Sequence, residues 1–269
     1  MKLCFSTLGC PSWHFSELVS TAADLGYNGI EIRGIADQIY APAIRAFSDA
    51  RIEDSKARIA RANLEIPILT SGAYFFDQPD ENGAIVETKE YILLAEKLGV
   101  PYVRVLGDKG LSPDFCGDMK RIAGIIRELC DYAAEHGVML LVETNGVLAN
   151  SNTMCKFLAM VDSPSLGVLW DVHHPYRTYG EAPATTVAKL GKQIRHVHIK
   201  DSSVLPDGTL KYQLTGHGDM PIAEAVTALR AIGYNGHYSY EWVKRWAPDL
   251  AEPGIAFYQY LNKMKELDL

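Results

Sequence analysis

No CxxC pair occurs in this sequence, and its five cysteines (Cys4, Cys10, Cys116, Cys130 and Cys155) are odd in number and scattered over 269 residues. That usage argues against a disulfide framework or a zinc knuckle and suits a reducing compartment. No apolar run approaches the roughly 18–20 residues needed to cross a bilayer, so no membrane partner is expected. The opening residues, Met1-Lys2-Leu3-Cys4-Phe5, lack the long apolar stretch of a signal peptide and read as a strand, which points to the cytoplasm. Basic runs are missing too. Lys and Arg number 26 against 33 Asp and Glu, a net charge of −7, and an acidic chain is a poor candidate for gripping a phosphate backbone. Nucleic acid is therefore not an expected partner. A glycine-rich phosphate turn after an early strand, the mark of an open doubly wound sheet, is also lacking.

Apolar residues, by contrast, make up 48% of the chain, enough for a large core without covalent staples. Short apolar runs alternate regularly with segments of helical periodicity. The runs are residues 3–8, 29–33, 65–70, 102–106, 138–143, 166–171, 194–199 and 236–241. The helical patterns cover 16–25, 49–63, 83–98, 114–136, 153–160, 184–191, 221–232 and 254–267. Near-continuous apolar strands joined by helical crossovers imply a parallel sheet. Eight such units with no linker between them match an α/β fold of the closed (β/α)₈ TIM barrel type, one domain over residues 1–269. The turn Leu25-Gly26-Tyr27-Asn28-Gly29 is echoed by Ile232-Gly233-Tyr234-Asn235-Gly236, which shared helix-capping chemistry explains.

In such a barrel the C-terminal rim carries function. Strands five to eight end there in polar residues that a purely structural barrel would not want: Glu143, Asp171, His198 and Glu241. Alone, each has a bland reading, as a solvated loop carboxylate, a turn cap or a satisfied core histidine. Their recurrence on four neighbouring strands is the signal. Three carboxylates brought together would repel one another and be costly to desolvate, and a divalent cation removes that cost. Oxygen ligands with one imidazole favour Mn²⁺ or Mg²⁺, with Co²⁺ or Zn²⁺ as alternatives. His196 shares strand parity with His198 but lies one layer lower, where packing is expected.

These motifs resemble the xylose isomerase-like barrels, in the branch of sugar phosphate isomerases and epimerases. The resemblance runs over nearly the whole chain. It is carried by Gly29-Ile30-Glu31-Ile32, Val142-Glu143, Trp170-Asp171-Val172-His173-His174, His196-Val197-His198-Ile199-Lys200-Asp201, Gly216-His217-Gly218-Asp219 and Tyr240-Glu241. It implies that Glu143, Asp171, His198 and Glu241 hold one metal ion, and that His174 contacts substrate. The alternative for His174 is a bond that orients Asp171; His173 is expected to point away and pack. The resemblance further implies that Glu143 and Glu241 form the acid and base pair of an epimerase or isomerase. One would take a proton alpha to a carbonyl and the other would return it through an enediolate. The related apurinic endonucleases add histidines for three zinc ions; here strands two and three end without any, which argues against DNA repair.

Around this set, Glu31 is a candidate for the pocket lining, with a salt bridge to Arg33 or another neighbour as its alternative. Trp13, with His14, would offer an aromatic wall for a sugar face, and Tyr74, Phe75 and Phe76 the opposite wall. Exposed loop aromatics also serve contacts between copies, so a homo-oligomer is a second use for them. Lys200 and Asp201 either reach substrate or pair with each other. The Gly216-His217-Gly218-Asp219 turn either closes over a ligand or caps the helix near Pro221, the latter being the better fit. No phosphate-binding motif stands out. The expected partner is a small sugar or polyol-derived substrate. A dehydratase of an inosose-like or dehydroshikimate-like compound is the main alternative, and an inactive metal or sugar-binding protein a further one.

Overall fold

The computed structural model describes residues 1–110, 115 and 117–268. Strands β1 (Lys2–Ser6), β2 (Gly29–Glu31), β3 (Leu69–Tyr74), β4 (Tyr102–Leu106), β5 (Met139–Glu143), β6 (Leu166–Asp171) and β7 (Ile194–Ile199) follow in chain order. A short hairpin, β8 (Asp201–Val204) and β9 (Leu210–Gln213), precedes the last barrel strand, β10 (His237–Tyr240). The eight barrel strands are all parallel, in the order β2-β1-β10-β7-β6-β5-β4-β3. Parallel bridges from Gly29 to Glu65 and from Ile32 to Leu69 join β2 to the segment entering β3 and close the ring. At Gly29 a Cβ would lie 2.8 Å from the Glu65 carbonyl oxygen, so only glycine permits this closure.

The helices are α1 (Phe15–Leu25), α2 (Ile52–Arg61), α3 (Glu81–Leu98), α4 (Met119–Glu135), α5 (Ser151–Val161), α6 (His173–Tyr179), α7 (Pro183–Leu190), α8 (Ile222–Ala231) and α9 (Pro253–Asp268). The fold class is the TIM barrel that the alternation implied. The expected start of α4 at residue 114 lies outside the described residues, as does Cys116. The echoed turns both carry a left-handed glycine, Gly26 at φ +83° and Gly233 at φ +69°, as shared capping chemistry requires.

Three details differ from the sequence reading. Strand three runs over Leu69–Tyr74 and not over 65–70, because Pro67 has no N–H to give to a ladder. Helix α6 forms directly after β6, where no helix was expected; it opens on two histidines with poor helical periodicity. The β8–β9 hairpin was unforeseen, since its strands are short and mostly polar.

Period-two alternation sorts each strand into two faces. Outward residues such as Val103, Val105, Leu140, Val142, Val168, Trp170, Val197 and Ile199 join the large core under the helices. Burying each such side chain contributes about 1.5–3 kcal/mol. Inside the ring, Ile68, Leu141 and Leu169 form a separate apolar layer. Two residues further along β5 and β6, the same inward rows reach Glu143 and Asp171. The charged residues thus sit one layer above an apolar plug, at the C-terminal rim.

Candidate metal centre

His198 is the middle of the site. Its side chain is wholly buried, its Nδ1 has no hydrogen-bond partner, and that atom faces carboxylates from three strand ends. Nδ1 lies 3.8 Å from Glu143 Oε1, 3.9 Å from Asp171 Oδ2 and 3.4 Å from Glu241 Oε1. Ligand atoms about 2.1 Å from a shared ion sit about 3.0–3.4 Å apart, so these spacings suit one cation after small adjustments. Glu143, His198 and Glu241 each offer an atom within 4.8 Å of the others. Asp171 Oδ2, wholly buried, is met by the Lys200 ammonium at 2.6 Å. The donor set and the orphaned His198 Nδ1 fit a divalent ion.

The other face of His198 explains why Nδ1 points inward. Its Nε2 donates to Glu31 Oε2 at 2.9 Å, and His196 Nε2 donates to the same oxygen at 2.9 Å. A carboxylate behind an imidazole fixes its tautomer and ring orientation. Glu31 therefore lies beneath the site, 1% exposed, and its partners are the two β7 histidines instead of Arg33. This is the neighbour-paired alternative for Glu31, and His196, expected only to pack, shares the same carboxylate oxygen.

Each carboxylate is also held by a cation. Glu143 Oε2 is 3.1 Å from Arg104 Nε, and Arg104 Nη1 donates to the Ser71 carbonyl at 2.8 Å. Burial pushes the Glu143 carboxyl up, but Arg104, followed by His198, outweighs it and brings it down to about 2. Lys200 Nζ lies between Asp171 Oδ2 at 2.6 Å and Glu241 Oε2 at 2.5 Å. Burial would lower the Lys200 ammonium, yet Asp171 and Glu241 raise it well above its usual range. Burial likewise opposes a charged His198, and Glu31 with Glu241 overcomes it, so that imidazole also rises. The carboxylates demand positive charge at their centre.

Thr144 sets the depth of Asp171. Its hydroxyl accepts from the Asp171 N–H at 2.9 Å and donates to the Asp171 carbonyl at 3.2 Å, tying the ends of β5 and β6 together. His174 Nδ1 bonds the Thr144 carbonyl at 2.9 Å, leaving Nε2 3.4 Å from Asp171 Oδ2. Burial keeps this imidazole below its usual value, hence neutral. A neutral ring whose Nδ1–H is spent presents Nε2 as an acceptor. His173 turns away, as expected, to Ser202 Oγ at 2.9 Å.

Several neighbours take other places than the sequence suggested. Asp201 pairs neither with Lys200 nor outward. Its carboxylate accepts from the N–H groups of Gly216, Gly218 and Met220, and so organises the Gly216-His217-Gly218-Asp219 turn. That turn caps nothing through a side chain at α8. Phe75 and Phe76 are core residues, the latter stacked on Phe115 with centroids 4.1 Å apart, so they make no wall. Trp13 is half-buried edge-on against Phe257 at 5.7 Å. A cleft of 660 Å³ at the opposite end of the barrel, lined by Lys2, Pro67, Tyr102 and His237, holds none of these groups. Arg104 was missed by the sequence reading, although an arginine amid Tyr102-Val103-Arg104-Val105-Leu106 was a visible signal.

With this geometry in hand, the comparisons with known proteins are decisive on kinship. The family described as xylose isomerase-like TIM barrel matches residues 19–261. The chain belongs to that family. No curated protein sequence matches it. Among solved structures, the IOLI protein with a bound zinc atom shares 20% identity at a TM-score of 0.81, covering 99% of this chain and 98% of that one. The probable 3-DHS dehydratase AsbF of Bacillus anthracis shares 19% identity at 0.81, covering 98% and 99%. D-psicose 3-epimerase from Clostridium cellulolyticum H10, solved with D-tagatose, shares 18% identity at 0.76, covering 100% and 98%. At these identities the likeness is one of fold. Among the described residues no helix is long and apolar enough to cross a membrane.

Proposed function

We propose that this protein is a metal-dependent isomerase or epimerase of a small sugar or keto-sugar. Its divalent ion would be held by Glu143, Asp171, His198 and Glu241. The observation that carries the reading is the orphaned, fully buried His198 Nδ1, backed by Glu31 and facing three carboxylates. Mn²⁺ or Mg²⁺ suits the oxygen-rich set, and a zinc-bound protein of the same fold supports Zn²⁺ as an alternative.

When bound, such an ion polarises the carbonyl and adjacent hydroxyl of a substrate and stabilises the enediolate oxygen. Glu143 and Glu241 come from strands on either side of β6 and β7 and approach the centre from different directions. Arg104 keeps Glu143 ionised and ready to accept a proton from the carbon next to the carbonyl. Glu241, gripped by Lys200, addresses the opposite face and would deliver there a proton taken up from solvent, while Glu143 releases the one it accepted. His174 Nε2 accepts a substrate hydroxyl.

A second reading is favoured by one residue. The Lys200 ammonium, buried at the centre, is a proton donor within the site. If it meets a hydroxyl beta to the carbonyl, proton abstraction by Glu143 would end in loss of water, a dehydratase reaction. Incubating the Mn²⁺-loaded protein with a ketose panel in D₂O separates the two. Deuterium next to the carbonyl with a new epimer supports the first reading. A rise in enone absorbance supports the second. Neither exchange nor elimination, with the metal bound, refutes both.

A further inference from the structure

A second arginine faces the site, and nothing in the metal chemistry uses it. Arg33 lies two residues past Glu31 and therefore shares its inward side, one layer nearer the rim. Its backbone N–H donates to Thr7 Oγ1 at 2.9 Å, fixing the strand end. Its guanidinium lies over the bare backbone of Gly72 on β3, where a Cβ would stand 3.4 Å from Nη2. Among the described residues no carboxylate comes within ion-pair distance of it; its one recorded bond is a long 3.5 Å contact to the Ile39 carbonyl. The nearest acid on α3, Glu87, spends an oxygen on the Gly72 N–H at 2.6 Å.

Burial, followed by the like charge of Arg104, weakens the hold of Arg33 on its proton, with Tyr91, Glu87 and Glu241 in partial opposition. Arg33 thus stands just past the end of β2, and Arg104 stands on β4 beside Glu143. A half-buried cation not paired directly with a carboxylate is costly, whereas a forked donor set that meets carboxylate or phosphate is strongly favoured. The metal site and Arg33 lie on different strands of one barrel mouth, with Arg104 of β4, 3.1 Å from Glu143, between them. A carbonyl compound held at the first would extend towards the second.

We propose that Arg33 is a specificity-determining subsite for an anionic group of the substrate, a carboxylate or a phosphate. The proposal rests on the isomerase reading only for where the substrate's carbonyl end lies. No phosphate-binding motif stands out in the sequence, because Arg33 and the other residues of the mouth come near one another only in the closed barrel.

The test compares three ligands of related skeleton on the Mn²⁺-loaded protein by calorimetry: D-fructose, 5-keto-D-gluconate and D-fructose 6-phosphate. At least one anionic ligand should bind roughly 10- to 100-fold tighter than fructose, as a charge-assisted contact provides. Which of the two wins tells carboxylate from phosphate. R33M should abolish the preference and R33K restore part of it, with fructose binding read on the same samples. Mn²⁺ affinity is measured first on each variant, so that loss of the metal site, which would sink the isomerase reading, is seen separately. Equal binding of neutral and anionic ligands, binding of none, or a preference that survives in folded R33M overturns the proposal.

Discussion

Replacing Glu31 by glutamine tests the organisation of the centre without touching any proposed ligand. The carboxylate accepts from His196 and His198 through one oxygen, each at 2.9 Å, in a position almost sealed from solvent. Glutamine keeps the shape, and its amide oxygen in the place of Oε2 can still accept from both imidazoles. What it loses is the negative charge that makes the His198 ring a better ligand. Carboxylates behind metal-bound histidines are worth about 10- to 100-fold in affinity, equal to about 1.4–2.7 kcal/mol. E31Q should therefore bind Mn²⁺ 10- to 100-fold more weakly in a calorimetric titration at neutral pH, while its circular dichroism stays that of the parent. An unchanged Mn²⁺ affinity in folded E31Q would refute the chain of reasoning from Glu31 through His198 to the metal.

Other perturbations follow from the same contacts. K200M strips the buried ammonium from Asp171 and Glu241; the metal-free protein should lose about 3–5 kcal/mol in urea denaturation. The thermal shift on adding Mn²⁺ should grow, and equal shifts in K200M and parent would contradict this. R104M releases the hold that keeps Glu143 near 2. The stability Glu143 contributes is full above its ordinary value of 4.5 and fades as pH falls towards 2. In R104M the folded-state value rises, so this loss should be smaller and end at higher pH, visible in metal-free melting curves between about pH 2 and 5. Burial, then His196 and Lys2, lowers His237 from 6.5 to about 3. Glu65 lies 3.3 Å away but is half in solvent and too screened to reverse this. The unfolded chain therefore protonates first. Stability should be complete above about pH 6.5 and fall as pH drops towards 3, and H237Q should flatten that part of a urea midpoint–pH curve.

The layered interior shows which parts of this protein were legible in one dimension. Glu143, Asp171, His198 and Glu241 announced themselves because each ends an apolar run, and parallel strands in register align their ends. The barrel was legible for the same reason, since its alternation is local. The Glu31–His198 bond joins residues 167 positions apart on non-adjacent strands, and the nearness of Arg33 to Arg104 likewise depends on closure. No local pattern encodes either. Phe75 and Phe76 misled because aromatics after a strand look like rim residues until strand three is known to extend to Tyr74. The shift came from Pro67, a residue whose effect on the ladder could have been weighed.

The β8–β9 hairpin has an asymmetry with practical value. Its base is woven into the chemistry: Ser202 receives Arg177 and meets His173, and Asp201 ties down the following turn. Its tip, Leu205 to Thr209, is exposed and touches none of these groups. Extra residues, a fluorophore or a fused module can be grafted at the tip at little cost. A change two residues lower on either arm would be transmitted to α6 and the imidazoles it carries. The outer end of the loop is thus free to change while its roots hold the chemistry in place.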